Sequence, residues 1–328
     1  MRPAPGQAIG DPACGTGGFL LAAHDFISKN NKLEKAQRKH LSTAALRGND
    51  IVPAMVSLCA MNLYLHGIGT AVGEDSPITE ADADALSKPS GTKFDLILAN
   101  PPFGKKGGYT IVGDDGKIST EKQEYERDEF WATTSNKQLN FLQHIVSELK
   151  VGGHAAVVLP DNVLFEGGAG ETIRRELLKR CNVHTLLRLP TGIFYAQGVK
   201  ANVLFFERRE ASETPWTKDL WIYDLRTNQH FTLKPPLATK DLTDFIKVYK
   251  SPSRARRKES KRFKKFTYKE IVARDKANLD IFWLKDESLE DTENLPAPAE
   301  LAADIVDSLE TALEEFRAVE EALTSRSK

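Results

Sequence analysis

The run Asn100-Pro101-Pro102-Phe103 combines residue types whose spacing indicates chemistry. It follows residues 94–99, an apolar run that is typical of a buried strand. Two prolines cannot continue a sheet, because proline lacks the backbone N–H and fixes φ, so a rigid turn is expected here. The Asn100 side chain and the Pro101 carbonyl would then offer two acceptors to a planar amino group, and Phe103 an aromatic face. The run therefore predicts a site for a nucleobase or an amide nitrogen.

A second motif, residues 11–19 (DPACGTGGF), closes another predicted strand and opens a helix. Its glycines allow a tight turn and a close backbone approach to a ligand, with helix N–H groups pointing at it. The pattern is neither GxGxxG nor a Walker A loop, and an acid before the glycines suits a positively charged amino group, as in S-adenosylmethionine. A plain glycine-rich turn is the alternative. The predicted cofactor-binding residues in this loop are Asp11, Ala13, Gly15, Thr16, Gly17 and Gly18.

Two further acids follow predicted strands. Asp50 ends the second strand, where a carboxylate in a dinucleotide-type fold accepts from ribose hydroxyls, although a helix cap before Pro53 explains it equally well. Asp75 follows the third strand and is predicted to take the adenine amino group of the same ligand, with an ordinary turn acid as the alternative. Because ligands bind at the carboxyl ends of strands in open α/β sheets, all four motifs would line one crevice.

The elements that must position these motifs alternate along residues 1 to about 210. Apolar runs and helical patterns in this order predict a doubly wound, Rossmann-like α/β domain with seven strands. The predicted strands are 7–11, 44–50, 70–73, 94–99, 154–159, 183–189 and 203–206. The predicted helices are 18–28, 53–66, 139–149 and 171–180. A strand-like run also occupies 220–225. Residues 104–136 form a long glycine- and charge-rich segment, interpreted either as a substrate-contacting flap or as a surface insertion.

The composition argues against several classes of protein. The 328 residues are 41% hydrophobic and 28% charged, as in a globular protein, and no apolar run approaches the ~20 residues that span a bilayer. The N-terminus lacks the apolar core of a signal peptide. The three cysteines form no CxxC pair and the seven histidines no HExxH cluster, which favours the reducing cytoplasm and no metal site.

Charge is unevenly distributed although the net charge is −1. Residues 254–265 contain eight basic residues and one acid, whereas residues 299–323 contain eight acids and one arginine. Within the acidic segment, apolar residues recur at 4, 3, 4, 3, 4 spacing and predict an amphipathic helix that packs on another helix. The predicted organisation is a catalytic domain at 1–250, a basic linker at 251–295 and a C-terminal assembly helix at 296–328. The residues of the helical seam are Ile305, Leu309, Ala312, Phe316, Val319 and Leu323.

Together, these motifs resemble a family of DNA amino-methyltransferases, specifically the modification subunits of type I restriction-modification systems. The glycine loop and residues 100–103 are similar to the family's adenine-N6 methyltransferase signatures. Further similar stretches lie at 140–144, 149–153, 157–160, 189–194 and 278–283.

The resemblance implies methyl transfer from S-adenosyl-L-methionine to the N6 of an adenine flipped out of DNA. Asn100, Pro101, Pro102 and Phe103 would be catalytic, with the base stacked on Phe103 and no metal required. Phe194 is a second base-stacking candidate, whereas the neighbouring Tyr195 is interpreted as a core aromatic. The implied partners are DNA, a specificity subunit and the nuclease subunit.

The basic run suits phosphate contacts, with a solvated linker face as an equal alternative.

Members of the family carry an N-terminal helical domain and an aromatic-Thr-Pro motif upstream of the glycine loop, and only ten residues precede Asp11 here. A split gene whose other chain supplies the missing part, a truncated reading frame and a degenerate remnant are the three explanations. Two alternative functions stay open, a protein-glutamine N5-methyltransferase and a non-catalytic assembly or DNA-binding module. The predicted DNA-backbone residues are Arg254, Arg256, Arg257, Lys258, Lys261 and Arg262.

Overall fold

The structure is a computed structural model of the chain, organised in two units, Met1–Trp283 and Leu284–Lys328. No helix within the described ranges is long and apolar enough to cross a membrane. The described residues are 1–69, 76–80, 85–87, 91–103, 108–112, 118–122, 124–194, 199–229, 231, 236–250 and 254–285.

The first unit alternates strands and helices along the chain. Its strands are β1 (Ile9–Asp11), β2 (Leu46–Asp50), β3 (Ile78–Glu80), β4 (Phe94–Ala99), β5 (Gly108–Val112), β6 (Ile118–Lys122), β7 (Leu149–Pro160), β8 (Cys181–Arg188), β9 (Ala201–Arg208), β10 (Asp219–Asp224) and β11 (Phe263–Thr267). Its α-helices are α1 (Gly18–Asn30), α2 (Lys35–Thr43), α3 (Pro53–Leu65), α4 (Lys137–Glu148), α5 (Asn162–Phe165), α6 (Ala169–Arg180), α7 (Thr243–Tyr249) and α8 (Tyr268–Ala273). Short 3-10 turns occur at Thr239–Leu242, Arg254–Arg256 and Asp275–Ala277.

Nine strands form one sheet in the order β11-β10-β8-β9-β7-β4-β1-β2-β3. Strands β9 and β11 are antiparallel to their neighbours, and the other pairs are parallel. The chain runs outward from β1 through β2 to β3 on one side and from β4 through β7 on the other. The strand order therefore reverses between β1 and β4, and such a switch point opens a crevice at the carboxyl ends of these two strands.

The predicted Rossmann-like sheet is confirmed, and six of its seven predicted strands are present: 94–99 has the predicted bounds, and the other five have one or both ends shifted. The predicted strand 70–73 lies outside the described residues, and β3 begins later, at Ile78. The sheet gains β10, which matches the strand-like run 220–225, and β11, which sequence patterning missed. In β11 the buried Phe263 is followed by lysines that are wholly or partly exposed, so the dense positive charge concealed the strand.

Apolar side chains pack on both faces of the sheet. One cluster joins β4, β7 and β8 to α4 and α6 through residues such as Leu142 and Leu177. A second cluster packs α1 and α3 against β1 and β2, with Leu20 and Leu63 fully buried. The central strands are thus covered on both faces, which fits their nearly continuous hydrophobic sequences.

The predicted boundary at residue 250 differs from the structure, because the first compact unit continues to Trp283. Strand β11 pairs with β10, and Leu279 and Ile281 enter the main core. The basic run is therefore part of the folded unit and not a linker, since its charges lie on the same segment as buried apolar anchors. The predicted helix at 296–328 lies outside the described residues.

The segment predicted as a flap or surface insertion, 104–136, is partly built into the fold. Strands β5 and β6 pair as a separate hairpin. Downstream, Tyr125 is buried, and the Gln143 side chain of α4 accepts from the backbone N–H groups of Trp131 and Ala132 at 2.7 and 3.0 Å. Residues 124–136 are thus anchored to α4 and do not form a loose insertion.

Candidate cofactor and target-base site

The glycine loop and the Asn-Pro-Pro-Phe turn leave the sheet side by side at the switch point. Strand β1 pairs with β4 in register Gly10 to Ile97. Asp11, the last residue of β1, and Asn100, the first residue after β4, therefore lie at the same edge of neighbouring strands. Gly10 is required for this packing, because a Cβ on it would lie 2.9 Å from the Phe94 ring. Gly10 thus lets β1 approach Phe94 closely.

The loop after β1 is a tight turn held from the next strand. Gly15 and Gly17 have φ of +53° and +82°, values that favour glycine. A Cβ on Gly17 would lie 2.7 Å from the Cys59 Sγ of α3, whereas the Cβ position of Gly15 faces open space. The backbone N–H of Cys14 donates to the Asn49 carbonyl at 2.9 Å. The loop is therefore packed against α3 on one side and open at Gly15.

Asp50 fastens the glycine loop to the end of β2. Its Oδ2 accepts from the Gly15 N–H and its Oδ1 from the Val52 N–H, both at 2.9 Å. Val52 is the N-cap residue of α3, so the cap role considered for Asp50 does not apply. Each carboxylate oxygen has a second lone pair, which leaves acceptor capacity for hydroxyl groups next to the loop.

Asp11 lies beneath the loop with 3% of its surface exposed. The pKa of its carboxyl is raised to about 7, mainly by burial; the hydrogen bond from the Ala13 N–H opposes the shift, and the nearby Asp50 makes a smaller contribution that raises the pKa. That bond is 3.1 Å long. Burial makes ionisation of this carboxyl unfavourable, and a cation placed beside it would stabilise the ionised form.

The turn after β4 exposes its amide and buries its first proline. Asn100 is exposed, Pro101 is buried and Phe103 is half-buried. The buried Gln138 of α4 donates from Nε2 to the Pro102 carbonyl at 3.1 Å. Within the described part of the chain, the Asn100 amide has no hydrogen-bond partner, so it can accept from a ligand.

Phe103 and Phe194 are in contact. Their ring centroids lie 5.7 Å apart at an interplanar angle of 58°. This is an ordinary distance for an aromatic pair, so a flat base does not fit between the rings as they stand. The structure brings both base-stacking candidates to the same edge as Asn100, with Phe194 against one side of Phe103.

The remaining predicted cofactor residues lie along the same loop. Thr16 is exposed, and its carbonyl accepts from the Asn62 side chain of α3 at 2.8 Å. Gly18 begins α1, so the N-terminal N–H groups of that helix lie at the loop. Asp75 and Tyr195 fall outside the described residues.

The six predicted phosphate-contacting residues divide into two sets. Arg257 is buried and donates to Thr185 Oγ1 at 2.9 Å, which contradicts a surface role for it. Arg254 pairs with Glu207 at 3.3 Å, and Arg262 donates to the Asp224 carbonyl at 2.9 Å. The exposed cations of the set are Arg256, Lys258 and Lys261.

Sequence reasoning missed several buried or partly buried polar residues that position the site. On α4, Gln138 holds the Pro102 carbonyl, and Asn140 donates to the Thr134 carbonyl at 2.7 Å. After β7, Asp161 forms an ion pair with Arg226 at 2.7 Å. The sequence of α4 contains a signal for such residues, because Gln138, Asn140 and Gln143 alternate with apolar residues along it. In the structure this helix is buried on nearly every side, so these amides need protein partners.

Comparisons with known proteins agree with this geometry. The family model of N-6 DNA methylases matches residues 1–289. The EcoKI methylase subunit of Escherichia coli (strain K12) is 36% identical over 97% of this chain, and the StySPI methylase subunit of Salmonella potsdam is 35% identical over the same share. Both are described as methylase subunits of type I restriction enzymes.

Solved structures show the same fold. The crystal structure of the EcoKI M protein has a TM-score of 0.73 at 35% identity, covering 98% of this chain and 70% of that one. A type I restriction-modification complex has a TM-score of 0.69 at 26% identity, covering 98% and 63%. The chain spans 64% of the length of the EcoKI and StySPI subunits. Since the family model covers most of the sequence, the chain belongs to the N-6 DNA methylase family.

Proposed function

We propose that this chain transfers a methyl group from S-adenosyl-L-methionine to the N6 of a flipped adenine in DNA, as the catalytic part of a type I modification subunit. The observation that carries the proposal is the placement of the Asp11 loop and the Asn100 turn on adjacent strands at the switch point. One loop offers a buried acid and open space at a glycine, and the other an exposed amide acceptor.

The residues at the first loop fit the cofactor. Asp11 would hold its positively charged amino group, the open face at Gly15 would admit it, and the spare lone pairs of Asp50 would accept from its ribose hydroxyls. Ala13, Thr16, Gly17 and Gly18 would contribute the surrounding backbone, and Asp75 would take the adenine amino group. When bound, the cofactor supplies a methyl group on a sulfonium centre.

Asn100 and Pro101 prepare the target nitrogen for attack. The adenine N6 lone pair is delocalised into the ring, which makes the nitrogen a poor nucleophile. The Asn100 side-chain oxygen and the Pro101 carbonyl accept its two hydrogens, and the lone pair then localises on N6. The prolines hold both acceptors in place, so positioning and preorganised dipoles supply much of the rate.

Phe103 supplies the face on which the extruded base stacks. A base within a duplex is inaccessible, so the adenine must leave the helix before reaction. Because Phe194 already occupies one side of Phe103, we assign the stacking face to Phe103 and assign Phe194 to the wall behind it.

Partners are proposed on the same basis. The exposed cations Arg256, Lys258 and Lys261 suit phosphate contacts with DNA. Similarity to type I methylase subunits favours assembly with a specificity subunit, and further with a restriction subunit, through a surface that includes the acidic segment 299–323.

Asn100→Ala tests the mechanism. The substitution removes one acceptor for the N6 hydrogens without touching the glycine loop, so we expect methylation to fall by at least about 100-fold. Cofactor binding should stay close to that of the wild type. The measurements are N6-methyladenine formed in DNA by the chain with and without the specificity subunit, and calorimetric titration with S-adenosyl-L-methionine.

Three outcomes would contradict the proposal. Substantial methyl transfer by the variant would remove Asn100 from the mechanism. Failure of the wild-type chain to bind the cofactor, alone or in the complex, would favour a non-catalytic module. Methyl transfer to a protein glutamine amide and not to DNA would favour the alternative substrate.

A further inference from the structure

The guanidinium of Arg226 donates to five acceptor atoms in three separate segments, and the longest of these bonds is the one from Nη2 to Asn202 Oδ1 at 3.4 Å. Its Nη1 and Nη2 donate to the two carboxylate oxygens of Asp161 at 2.7 and 2.9 Å. Its Nε donates to the Leu189 carbonyl at 2.9 Å, and Nη2 also donates to the Ala201 carbonyl at 2.8 Å. Because every guanidinium nitrogen has a protein acceptor, Arg226 is not placed to contact DNA phosphate.

These acceptors mark the ends of three strands at the carboxyl edge. Asp161 follows β7, Leu189 follows β8, and Ala201 is the first residue of the antiparallel β9. Asn202 adds a bond from its Nδ2 to Asp161 Oδ1 at 2.8 Å. Arg226 itself is fixed at its backbone, where its N–H donates to Asp224 Oδ1 at 2.8 Å. The bonds of Arg226 therefore join β7, β8 and β9 to the end of β10.

The same bonds hold both ends of the segment that carries Phe194. Leu189 and Ala201 bracket this segment and are joined by a hydrogen bond from the Leu189 N–H to the Ala201 carbonyl at 3.0 Å. Phe194 reaches back from it to Phe103 on the target-base side. Leu189 precedes Phe194 by five residues in the chain, so a displacement of Leu189 would shift the short stretch that carries Phe194.

We infer that Arg226, paired with Asp161, is a positioning residue that fixes the Phe194 wall and thereby the stacking face of Phe103. The inference rests on the proposed function of that face. Lysine cannot replace arginine here, because one ammonium group cannot reach a carboxylate and two carbonyls in different directions. Asp161 is held ionised for this pairing: burial alone would raise its pKa, but the bonds from Arg226 and Asn202 lower the pKa below its usual value.

The test compares Arg226→Lys and Asp161→Asn with the wild type, each as the full chain assembled with its specificity subunit. We expect the single-turnover methylation rate on saturating DNA to fall about 10- to 100-fold, as small displacements of a positioned substrate do. The dissociation constant for S-adenosyl-L-methionine should be unchanged, because the glycine loop lies on other strands. Hydrogen exchange of peptides spanning residues 186–194 should become faster in both variants.

Arg208 provides the matched control. It also clamps backbone carbonyls, donating from Nη1 to those of Val146 and Ser147, each at 3.1 Å, but at the opposite end of β9. Arg208→Lys should lower the thermal midpoint as much as Arg226→Lys does, or more, while the single-turnover rate and the exchange at 186–194 stay as in the wild type.

Two results would overturn the inference, a wild-type methylation rate in Arg226→Lys or unchanged exchange at 186–194. An equal loss of rate in Arg208→Lys would reduce Arg226 to a purely structural residue. If the wild-type complex methylates no DNA, the proposed function fails, and the exchange measurement still decides whether Arg226 fixes the segment.

Discussion

Asp11 is the residue whose chemistry depends most on its surroundings. On an exposed loop its carboxyl would be ionised at neutral pH, but burial raises its pKa to about 7. The carboxyl is therefore largely protonated in slightly acidic solution when no cation is beside it. A ligand that carries an ammonium group reverses this, because the opposite charge favours the ionised form. Binding of such a ligand must then release a proton from Asp11.

This linkage predicts a pH dependence for cofactor binding. Below pH 7 the affinity for S-adenosyl-L-methionine should fall about tenfold per pH unit, since one proton must leave Asp11 for each cofactor bound. The amino group of the ligand stays protonated in this range. Calorimetric titrations between pH 5.5 and 7 in buffers of different ionisation enthalpy would measure both the affinity and the released proton.

Asp11→Asn is the control for that experiment. The amide keeps the shape of the side chain but does not titrate, so the variant should bind weakly at every pH and release no proton. A wild-type affinity that is constant from pH 5.5 to 7 would contradict the assignment of Asp11 to the amino group.

At the scale of elements, β1 depends on a glycine that looks like a defect in the sequence. Gly10 is the middle residue of β1, and glycine in a strand interior ordinarily weakens the strand. In the structure the Phe94 ring occupies the space that a Cβ would need, at 2.9 Å. Phe94 is itself 6% exposed and part of the main core. The glycine thus allows β1 to pack closely between β2 and β4.

Gly10→Ala should therefore destabilise the protein by about 1–3 kcal/mol, the usual range for overpacking a core. It should also weaken cofactor binding, because Asp11 is the next residue. Gly18→Ala is the matched control for stability, since its Cβ would meet nothing within 4 Å at the first residue of α1. Urea unfolding of the two variants measures the difference, and equal stabilities would contradict the packing argument.

Strand β11 shows how charge conceals an element. The basic run suggests a solvated segment, yet Phe263 is fully buried and stacks on Trp221 at 4.8 Å between ring centroids. The lysines of the strand lie at the sheet edge, where positive charge also discourages pairing with another chain. The sequence composition of this strand reflects its solvent-exposed lysines. The buried side of the strand is recognised only from its pairing with β10.

At the scale of the whole molecule, residues 254–283 complete the first unit. The side chain of Arg188, fully buried at the end of β8, pairs with Asp280 at 2.8 Å, and its Nη1 donates to the Ile281 carbonyl at 2.9 Å. Buried Arg174 of α6 likewise donates to the Lys276 carbonyl at 2.7 Å. Removing this segment would leave two buried guanidinium groups without these acceptors.

Two truncations test this organisation. A chain ending at Lys285 should unfold cooperatively with a thermal midpoint close to that of the full chain. A chain ending at Lys250 should aggregate or lose its cooperative transition, because breaking one buried ion pair alone costs about 3–5 kcal/mol. Circular dichroism and calorimetry distinguish the two. A cooperative transition in the shorter chain would support the linker predicted from the sequence.

The chain that ends at Lys285 also tests the proposed role of the C-terminal segment. If the acidic helix predicted at 296–328 binds the specificity subunit, the chain ending at Lys285 should bind the cofactor but no longer co-purify with that subunit. Retained co-purification would place the assembly surface in the first unit.

The sequence by itself determined the fold class and the order of the motifs, because glycines, prolines and acids after apolar runs are local signals of strand ends. Parallel strands then bring those ends to one edge whatever their separation in the chain. The tertiary structure alone decided which polar groups support the site: Gln138 under Pro102, Arg226 on Asp161, and Arg257 inside the fold. These contacts join segments 36, 65 and 72 residues apart, and they depend on how side chains pack once the sheet has formed. No local sequence pattern encodes that packing, because an arginine can contact phosphate when it is exposed and can bind protein carbonyl and carboxylate groups when it is buried.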